Sequence, residues 1–336
     1  MSIYGGSLAD LFETETRSLI WPIFALSPLL GPIVAPIAGG WITQNMGWSW
    51  DDWITLFIAT PPFVLALFFL PETYAPLLFR WKTAPRTQDT RQGNDVTSPK
   101  DDSSSLSDEL VSNLGRIVYF ITRELTTVLF GLYLTFLYLM VFGFLEGFDF
   151  IFTDTYRFDI GQRYTGFTAV AIGILIALPY MYAVPYLVAV YAQKPAGHPE
   201  QRLVPSLLAS PLLSASLFWI GWTDQTGVSY YSVLGGCCLF GFALMVLFTS
   251  TYHYLLDSYG TSASSALSAI TFMRYLASGG MVIATEPIYR ALTVKWTLTL
   301  LGSIAAGLAP IPWIFWWFGS RIRDRSRYAE HDEAAE

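Results

Sequence analysis

The sequence contains few charged residues. Only 13% of its 336 residues are Asp, Glu, Lys or Arg, whereas 53% are hydrophobic and 16% are aromatic. Soluble domains are about one quarter charged, so this composition, with a mean hydropathy of +0.43, is unusual for a soluble chain. The charges cluster and leave long uncharged runs between them. A water-soluble fold could not bury so many apolar segments, and this excludes the soluble enzymes.

Eight of these runs are long enough to cross a bilayer. A membrane-spanning helix needs about 20 mostly apolar residues. The runs cover residues 18–50, 53–71, 125–145, 164–193, 203–223, 225–252, 258–285 and 296–320, and Arg274 is the one charge inside them. We therefore predict an all-α, polytopic membrane protein with about eight transmembrane helices.

Cysteine and histidine are also scarce. Cys237 and Cys238 are adjacent in an apolar run, which argues against a disulfide framework. The three histidines, His198, His253 and His331, are scattered and form no metal-binding or catalytic group. No basic face indicates a nucleic-acid partner. We expect no cofactor, no metal and no enzymatic activity.

Lysine and arginine are distributed unevenly between the connections. If residues 76–122 lie in the cytoplasm and the sides alternate from there, the inner segments hold 14 of them and the outer segments four. Cytoplasmic loops carry the excess of positive charge in membrane proteins, so we expect a cytoplasmic C-terminus. The central loop is polar and poor in large apolar residues from Lys82 to Leu114. We expect it to be flexible.

The first run carries a four-residue repeat. The repeated residues are Pro28, Pro32 and Pro36, and Gly31, Ala35 and Gly39. Residues four apart share a helix face, and faces of small residues let membrane helices pack closely. The pattern alone favours a tightly packed, kinked helix without direct chemistry.

Several motifs together resemble one transporter family. Gly31-Pro32, Pro36 and Gly39-Gly40 resemble the antiporter signature of the fifth helix in the major facilitator superfamily. Residues 8–19, LADLFETETRSL, are similar to the cytoplasmic turn before that helix. Residues 70–76, LPETYAP, resemble the end of the sixth helix in fungal drug:proton and polyamine-type antiporters. Further matching segments lie within residues 199–203, 254–260 and 309–323.

The resemblance implies a partial form of a fold with twelve helices in two halves. The eight predicted spans would correspond to helices five to twelve, and we expect a chain truncated at its N-terminus. Residues 1–17 would be the end of helix four and a cytoplasmic turn, and 18–75 two helices of the N-terminal half. Residues 76–122 would form the flexible central loop, 123–320 the six-helix C-terminal half and 321–336 a cytoplasmic tail.

Three charged residues are candidates for proton coupling or substrate binding. Ionisable groups at membrane depth are costly and usually face a cavity or a partner. Arg274 could attract an anionic substrate, pair with a carboxylate or be a fixed structural residue. Glu146 and Asp149 are three residues apart and share a helix face if their helix continues. The resemblance favours Glu146 for the proton; an ordinary helix end facing water is the alternative for both.

The resemblance also assigns roles to short cytoplasmic turns. Asp10, Arg17, Glu200 and Arg202 would form inter-helix ion pairs that close the cytoplasmic side of a central cavity. Solvated surface charges are the alternative. The glycine and proline residues of the antiporter signature would pack against the opposite half and limit uncoupled leak.

The function implied by the resemblance is proton-coupled efflux of small amphipathic molecules, such as drugs or secondary metabolites. The alternative is a truncated membrane protein that derives from such a transporter and does not transport. Expected partners are the lipid bilayer, a small-molecule substrate and protons. The plasma membrane is the expected location, with the vacuolar membrane as the alternative.

Overall fold

The computed structural model of the protein describes residues 14–69, 106–192, 199–225, 227–260 and 263–323. Within these ranges the chain is helical and contains no strand, which confirms the all-α class. The helices are α1 (Thr14–Met46), α2 (Trp48–Phe69), α3 (Leu106–Arg123), α4 (Leu125–Asp149), α5 (Ile160–Tyr164), α6 (Phe167–Ala192), α7 (Val204–Thr223), α8 (Tyr230–Tyr259), α9 (Ala263–Leu308) and α10 (Pro310–Arg323). A π-helical turn, Phe150–Asp154, follows α4, and a 3-10 turn, Pro199–Leu203, precedes α7.

Seven helical stretches in the described part of the chain are long and apolar enough to cross a membrane. The last of them, Ala263–Arg323, has 61 residues and covers most of the predicted run 258–285 and all of the run 296–320. At 1.5 Å per residue it would be about 90 Å long, three times the thickness of the hydrocarbon core. The helix breaks at Thr293, whose φ of 65° and ψ of 163° are not helical. We refer to the parts of α9 before and after Thr293 as its first and second arms.

The segment before α4 differs from the prediction. The sequence predicts a flexible loop over residues 76–122, but α3 forms at its end. Ile117, Phe120 and Ile121 recur at helical spacing and pack against the core, and the ring of Phe120 stands edge-on to that of Tyr259 in α8 at 5.5 Å. The polar composition of the whole loop conceals this short apolar repeat. The rest of the predicted loop, to residue 105, and the predicted tail beyond residue 323 lie outside the described residues.

Helix α8 runs through the centre of the core, and α6 crosses it closely. Every residue from 243 to 256 is buried. Gly173 of α6 faces the backbone carbonyl of Cys238, and Gly241 of α8 faces that of Val170. A Cβ atom at either glycine would overlap the opposite backbone, so only glycine permits this approach.

The two arms of α9 pack on different helices. The first arm lies along α4, with Met273 against Gly131 and Met281 against Gly143. The second arm lies against α7, where Leu298 contacts the position of Gly221. This arrangement places the middle of α9 beside both α4 and the buried part of α8.

Helix α1 connects the first two helices to the rest. The indole N–H of Trp21 donates to the carbonyl oxygen of Thr249 in α8 at 3.2 Å. The hydroxyl of Tyr182 in α6 donates to the carbonyl oxygen of Leu19 at 2.6 Å. Helix α2 packs on α1 and has no buried residue.

Candidate functional site

The guanidinium of Arg274 lies in the interior of the bundle. Arg274 is on the first arm of α9 and faces α4 and α8. The residue is only 1% exposed. A buried charge at this depth is costly unless the groups around it compensate the charge. The composition of those surroundings therefore decides what Arg274 can do.

Aromatic rings from three helices surround this guanidinium. We call this group the arginine cage; it comprises Tyr138 of α4, Phe248 and Tyr252 of α8, and Tyr275 of α9. The Arg274 Cζ atom lies 4.0 Å from the ring centroid of Tyr138 and 5.1 Å from that of Tyr275. The corresponding distances are 5.5 Å to Phe248 and 5.7 Å to Tyr252. Cations are attracted to aromatic faces at these distances.

The arginine cage supplies one hydrogen bond and no ion pair. Arg274 Nη1 donates to the Tyr252 hydroxyl at 2.7 Å, while its Nε–H has no hydrogen-bond partner in the part of the chain that the structure describes. No carboxylate among the described residues pairs with Arg274. The α4 residue beside it is Tyr138, and Glu146 follows two turns later, about 12 Å further along the helix. A buried cation with a free donor can bind an anion or another acceptor.

A cavity of about 450 Å³ adjoins the cage. Tyr275 belongs to both, and the other lining residues are Ile117, Ser268, Thr271, Phe272 and Leu276. This lining is largely apolar, with three hydroxyl groups, which suits a small amphipathic molecule. Sequence reasoning selected Arg274, but it did not identify Phe248, Tyr252 and Tyr275 beside it. Phe248 and Tyr252 are four residues apart on one face of α8, which is the signal that could have found them.

A group of charged residues lies at the C-terminal end of α4. Arg163 Nη1 donates to Asp149 Oδ1 at 2.7 Å, and Arg290 Nε donates to Glu286 Oε1 at 2.9 Å. These four residues and Glu146 line one cavity of about 350 Å³. It is exposed, and its carboxylate makes no ion pair or hydrogen bond with a described residue. The π-helical turn directly after α4 belongs to this site, and such turns are frequent at functional positions.

The 3-10 turn before α7 carries two ion pairs to other helices. Glu200 Oε1 lies 2.9 Å from Arg323 Nη2 of α10, where Gly319 leaves room for the carboxylate. Arg202 Nε donates to Asp257 Oδ2 of α8 at 2.8 Å. Glu200 and Arg202 thus join the start of α7 to the ends of α8 and α10.

The other two predicted gate residues are only partly visible in the structure. Asp10 lies outside the described residues. The backbone of Arg17 belongs to α1, but its side chain is not among those described. The structure therefore gives no partner for either charge.

The glycines of the segment Gly31–Gly40 pack tightly only at its end. A Cβ on Gly40 would lie 2.6 Å from Tyr164 Cδ2, so Gly40 packs closely against Tyr164 of α5. A Cβ on Gly39 would approach Asp51 of α2 at 3.2 Å, and at Gly31 the space is open. The buried face of α1 consists instead of Trp21, Ala25, Leu29 and Ile33. Pro32 and Pro36 line a cavity of about 610 Å³ between α1 and α2.

Comparisons with known proteins agree on one family. A family model described as Major Facilitator Superfamily matches residues 1–283. The chain is 38% identical to the MFS-type transporter kojT of Aspergillus flavus, over 97% of this chain and 59% of that protein. It is 34% identical to the uncharacterized transporter C530.02 of Schizosaccharomyces pombe, over 98% of this chain and 62% of that protein. The chain thus spans about three fifths of the length of these relatives.

A solved structure shares the fold. The human organic anion transporter MFSD10 (TETRAN) matches with a TM-score of 0.55 at 20% sequence identity. The match covers 94% of this chain and 67% of that one. At this identity the likeness concerns the path of the backbone and not the substrate.

Proposed function

Because this chain belongs to the major facilitator superfamily, we propose that it performs proton-coupled efflux of small amphipathic molecules, such as drugs or secondary metabolites. Within the superfamily we place it beside the fungal drug:proton antiporters, on the strength of the signature at Gly31–Gly40. The observation that carries the proposal is the buried Nε–H of Arg274, which has no hydrogen-bond partner among the described residues. Its cage shares Tyr275 with a largely apolar cavity.

Substrate recognition follows from the chemistry of the arginine cage. An anionic or carbonyl oxygen of the substrate accepts the Nε–H of Arg274, while the apolar part occupies the adjoining cavity. Tyr275 is 55% exposed and offers its ring to an aromatic substrate. Substrates with one acceptor group and one apolar part fit this arrangement better than sugars or inorganic ions do.

Proton coupling is assigned to Glu146. Its carboxylate shares a cavity with two arginines that already hold Asp149 and Glu286. Protonation of Glu146 removes the unpaired negative charge of this group and changes the attraction between α4 and the arginines of the neighbouring elements. In a transporter whose halves alternately open to each face, this change would shift the balance between the two states.

The ion pairs of Glu200 and Arg202 are assigned to the cytoplasmic side of the transport cycle. They hold the ends of α7, α8 and α10 together, so that these helices move as one body during gating. The proposed orientation places these pairs and the C-terminus in the cytoplasm, in the plasma membrane or alternatively the vacuolar membrane.

Export from proteoliposomes with an imposed proton gradient tests both assignments. Arg274→Ala should abolish export of an anionic amphipathic dye, and Glu146→Gln should abolish its dependence on the gradient. Glu286→Gln is the matched control, because this neighbouring carboxylate already has a partner, and it should retain coupled export. Unchanged export by both test variants would refute the mechanism. A protein that inserts but exports nothing in its natural form would favour the non-transporting alternative.

A further inference from the structure

The cavity of about 610 Å³ between α1 and α2 contains one charged group and otherwise little polarity. Apolar residues such as Ile54 and Ile58 of α2 and Leu145 of α4 form much of its wall. Among the described residues that line it, Asp51 is the only charged one. A cavity of this volume can hold a drug-sized molecule. The proposed function uses neither Asp51 nor this cavity.

The carboxylate of Asp51 rests on the backbone of α1. A Cβ on Gly39 would lie 3.2 Å from Asp51 Oδ2 and 3.4 Å from Oδ1, so the glycine makes room for both oxygens. Asp51 is partly buried, and its carboxylate makes no ion pair or hydrogen bond with a described residue. Arg163, which precedes the lining residue Tyr164, lines a different cavity and is bound there to Asp149. The negative charge of Asp51 is therefore available to a ligand of opposite sign.

Two further groups of the cavity favour a positively charged ligand. Gly40 lies against the ring of Tyr164, so this ring flanks α1 next to the carboxylate above Gly39, and aromatic faces attract cations. Pro36 has no N–H, so the carbonyl oxygen of Pro32 receives no hydrogen bond from its own helix. Both prolines line the cavity, which places this acceptor on the same face of α1. Carboxylate, ring and carbonyl all attract a cationic hydrogen-bond donor.

The cavity lies at the boundary of the bilayer. Asp51 is in the first turn of α2, at the start of the candidate span Trp48–Phe69. Trp48, Trp50 and Trp53, on either side of it in the sequence, are exposed. Tryptophan is enriched at the membrane–water interface because its ring is amphipathic. An amphipathic cation favours the same depth for the same reason.

We propose that this cavity binds amphipathic organic cations through the carboxylate of Asp51. The protonated amine of the ligand donates hydrogen bonds to Asp51 and to the carbonyl oxygen of Pro32. The apolar body of the ligand lies against Ile54, Ile58 and Leu145. The site differs from the arginine cage in place and in sign, because the cage attracts acceptors and anions. The inference concerns binding and does not rest on the proposed export.

Three ligands with the same aromatic ring test the role of charge. Naphthylethylamine is a cation at neutral pH, naphthylethanol is neutral and naphthylacetate is an anion. Their binding to the purified, full chain is measured by equilibrium dialysis in one detergent, and uptake by micelles alone is subtracted. We expect the amine to bind at least about tenfold more tightly than the alcohol, because it forms a charge-assisted hydrogen bond with the carboxylate. Equal affinity for the amine and the alcohol would overturn the proposal.

Two substitutions locate the site. Asp51→Asn should lower the affinity for the amine to that for the alcohol, and it should not weaken naphthylacetate. Asp52→Asn is the matched control, because it removes the same charge from the adjacent, exposed residue, which is not part of the lining; it should change none of the three affinities. Equal losses in both variants would show a general attraction to negative surface charge and refute the site.

Two competing locations and ligands are tested in parallel. If Arg274→Met, and not Asp51→Asn, lowers the affinity for the amine, the amine binds at the arginine cage and the proposal is wrong. Phosphatidylethanolamine carries the same ammonium group; if it displaces the amine at equal concentration, the assignment to a solute is wrong. If Asp51→Asn does not fold, the ratio of amine to alcohol affinity in the natural chain and in Asp52→Asn decides.

Discussion

Replacing Arg274 by methionine should leave the protein as stable as before or more stable, while export is lost. The guanidinium gains one charge-assisted hydrogen bond to Tyr252, about 1.5–3 kcal/mol, and about 2 kcal/mol from the rings around it. Against this, desolvation of an ion without a carboxylate partner costs several kcal/mol. Methionine has a similar length, and its sulfur makes favourable contacts with aromatic rings, about 0.3–1.5 kcal/mol each.

The matched variant Tyr252→Phe should have the opposite effect on stability. It retains the ring and removes only the hydroxyl, which leaves Nη1 of the buried guanidinium without its acceptor. The expected loss in the free energy of unfolding is about 1–3 kcal/mol. For Arg274→Met we expect a change between zero and a stabilisation of about 1–4 kcal/mol, as for other buried charges replaced by apolar residues.

The two variants are compared with the natural chain by thermal unfolding in one detergent, and by export from proteoliposomes. The reasoning predicts opposite shifts of the unfolding midpoint, together with loss of export in Arg274→Met. If Arg274→Met instead destabilises the protein strongly and Tyr252→Phe has no effect, Arg274 is a structural residue. The charge would then be compensated by something other than the arginine cage.

Two further predictions concern packing and the ion pairs. Gly241→Ala should prevent folding or lower the free energy of unfolding by more than about 3 kcal/mol, because the added Cβ meets the backbone of α6. Gly31→Ala, where the space is open, should be tolerated. Equal behaviour of the two variants in thermal unfolding would contradict the close crossing. Glu200→Gln should cost about 3–5 kcal/mol, because it breaks the largely buried ion pair between Glu200 and Arg323. The exposed pair of Glu286 is the control, where the same change should cost less than about 1 kcal/mol; a similar loss in both would show that burial of Arg323 is unimportant.

The sequence alone predicted the positions of the helices well, because the thickness of the bilayer fixes the length of an apolar span. It could not predict that α9 continues through the charged segment between its last two runs to the break at Thr293. It also missed α3, whose few apolar residues are diluted by the polar loop around them. In both places a helix forms although the local sequence is polar or charged.

The candidate site was predicted in part. Arg274 could be selected because a lone charge in an apolar run is rare. Its surroundings could not be predicted, since the arginine cage combines residues from three helices that are far apart in the sequence. The sequence also could not predict where Glu146 lies relative to the cage. Glu146 shares α4 with the cage residue Tyr138 but lies two turns away from it.

The close crossing of α6 and α8 has a mechanical consequence for the arginine cage. Two backbones in direct contact at Gly173 and Gly241 have no side chains between them to yield, so the two helices form one stiff unit that carries Phe248 and Tyr252. The first arm of α9, which carries Arg274, instead rests on α4 through flexible methionine side chains. We therefore expect sliding of α9 along α4, which is a shear, to change the shape of the cage more readily than separation of α6 from α8.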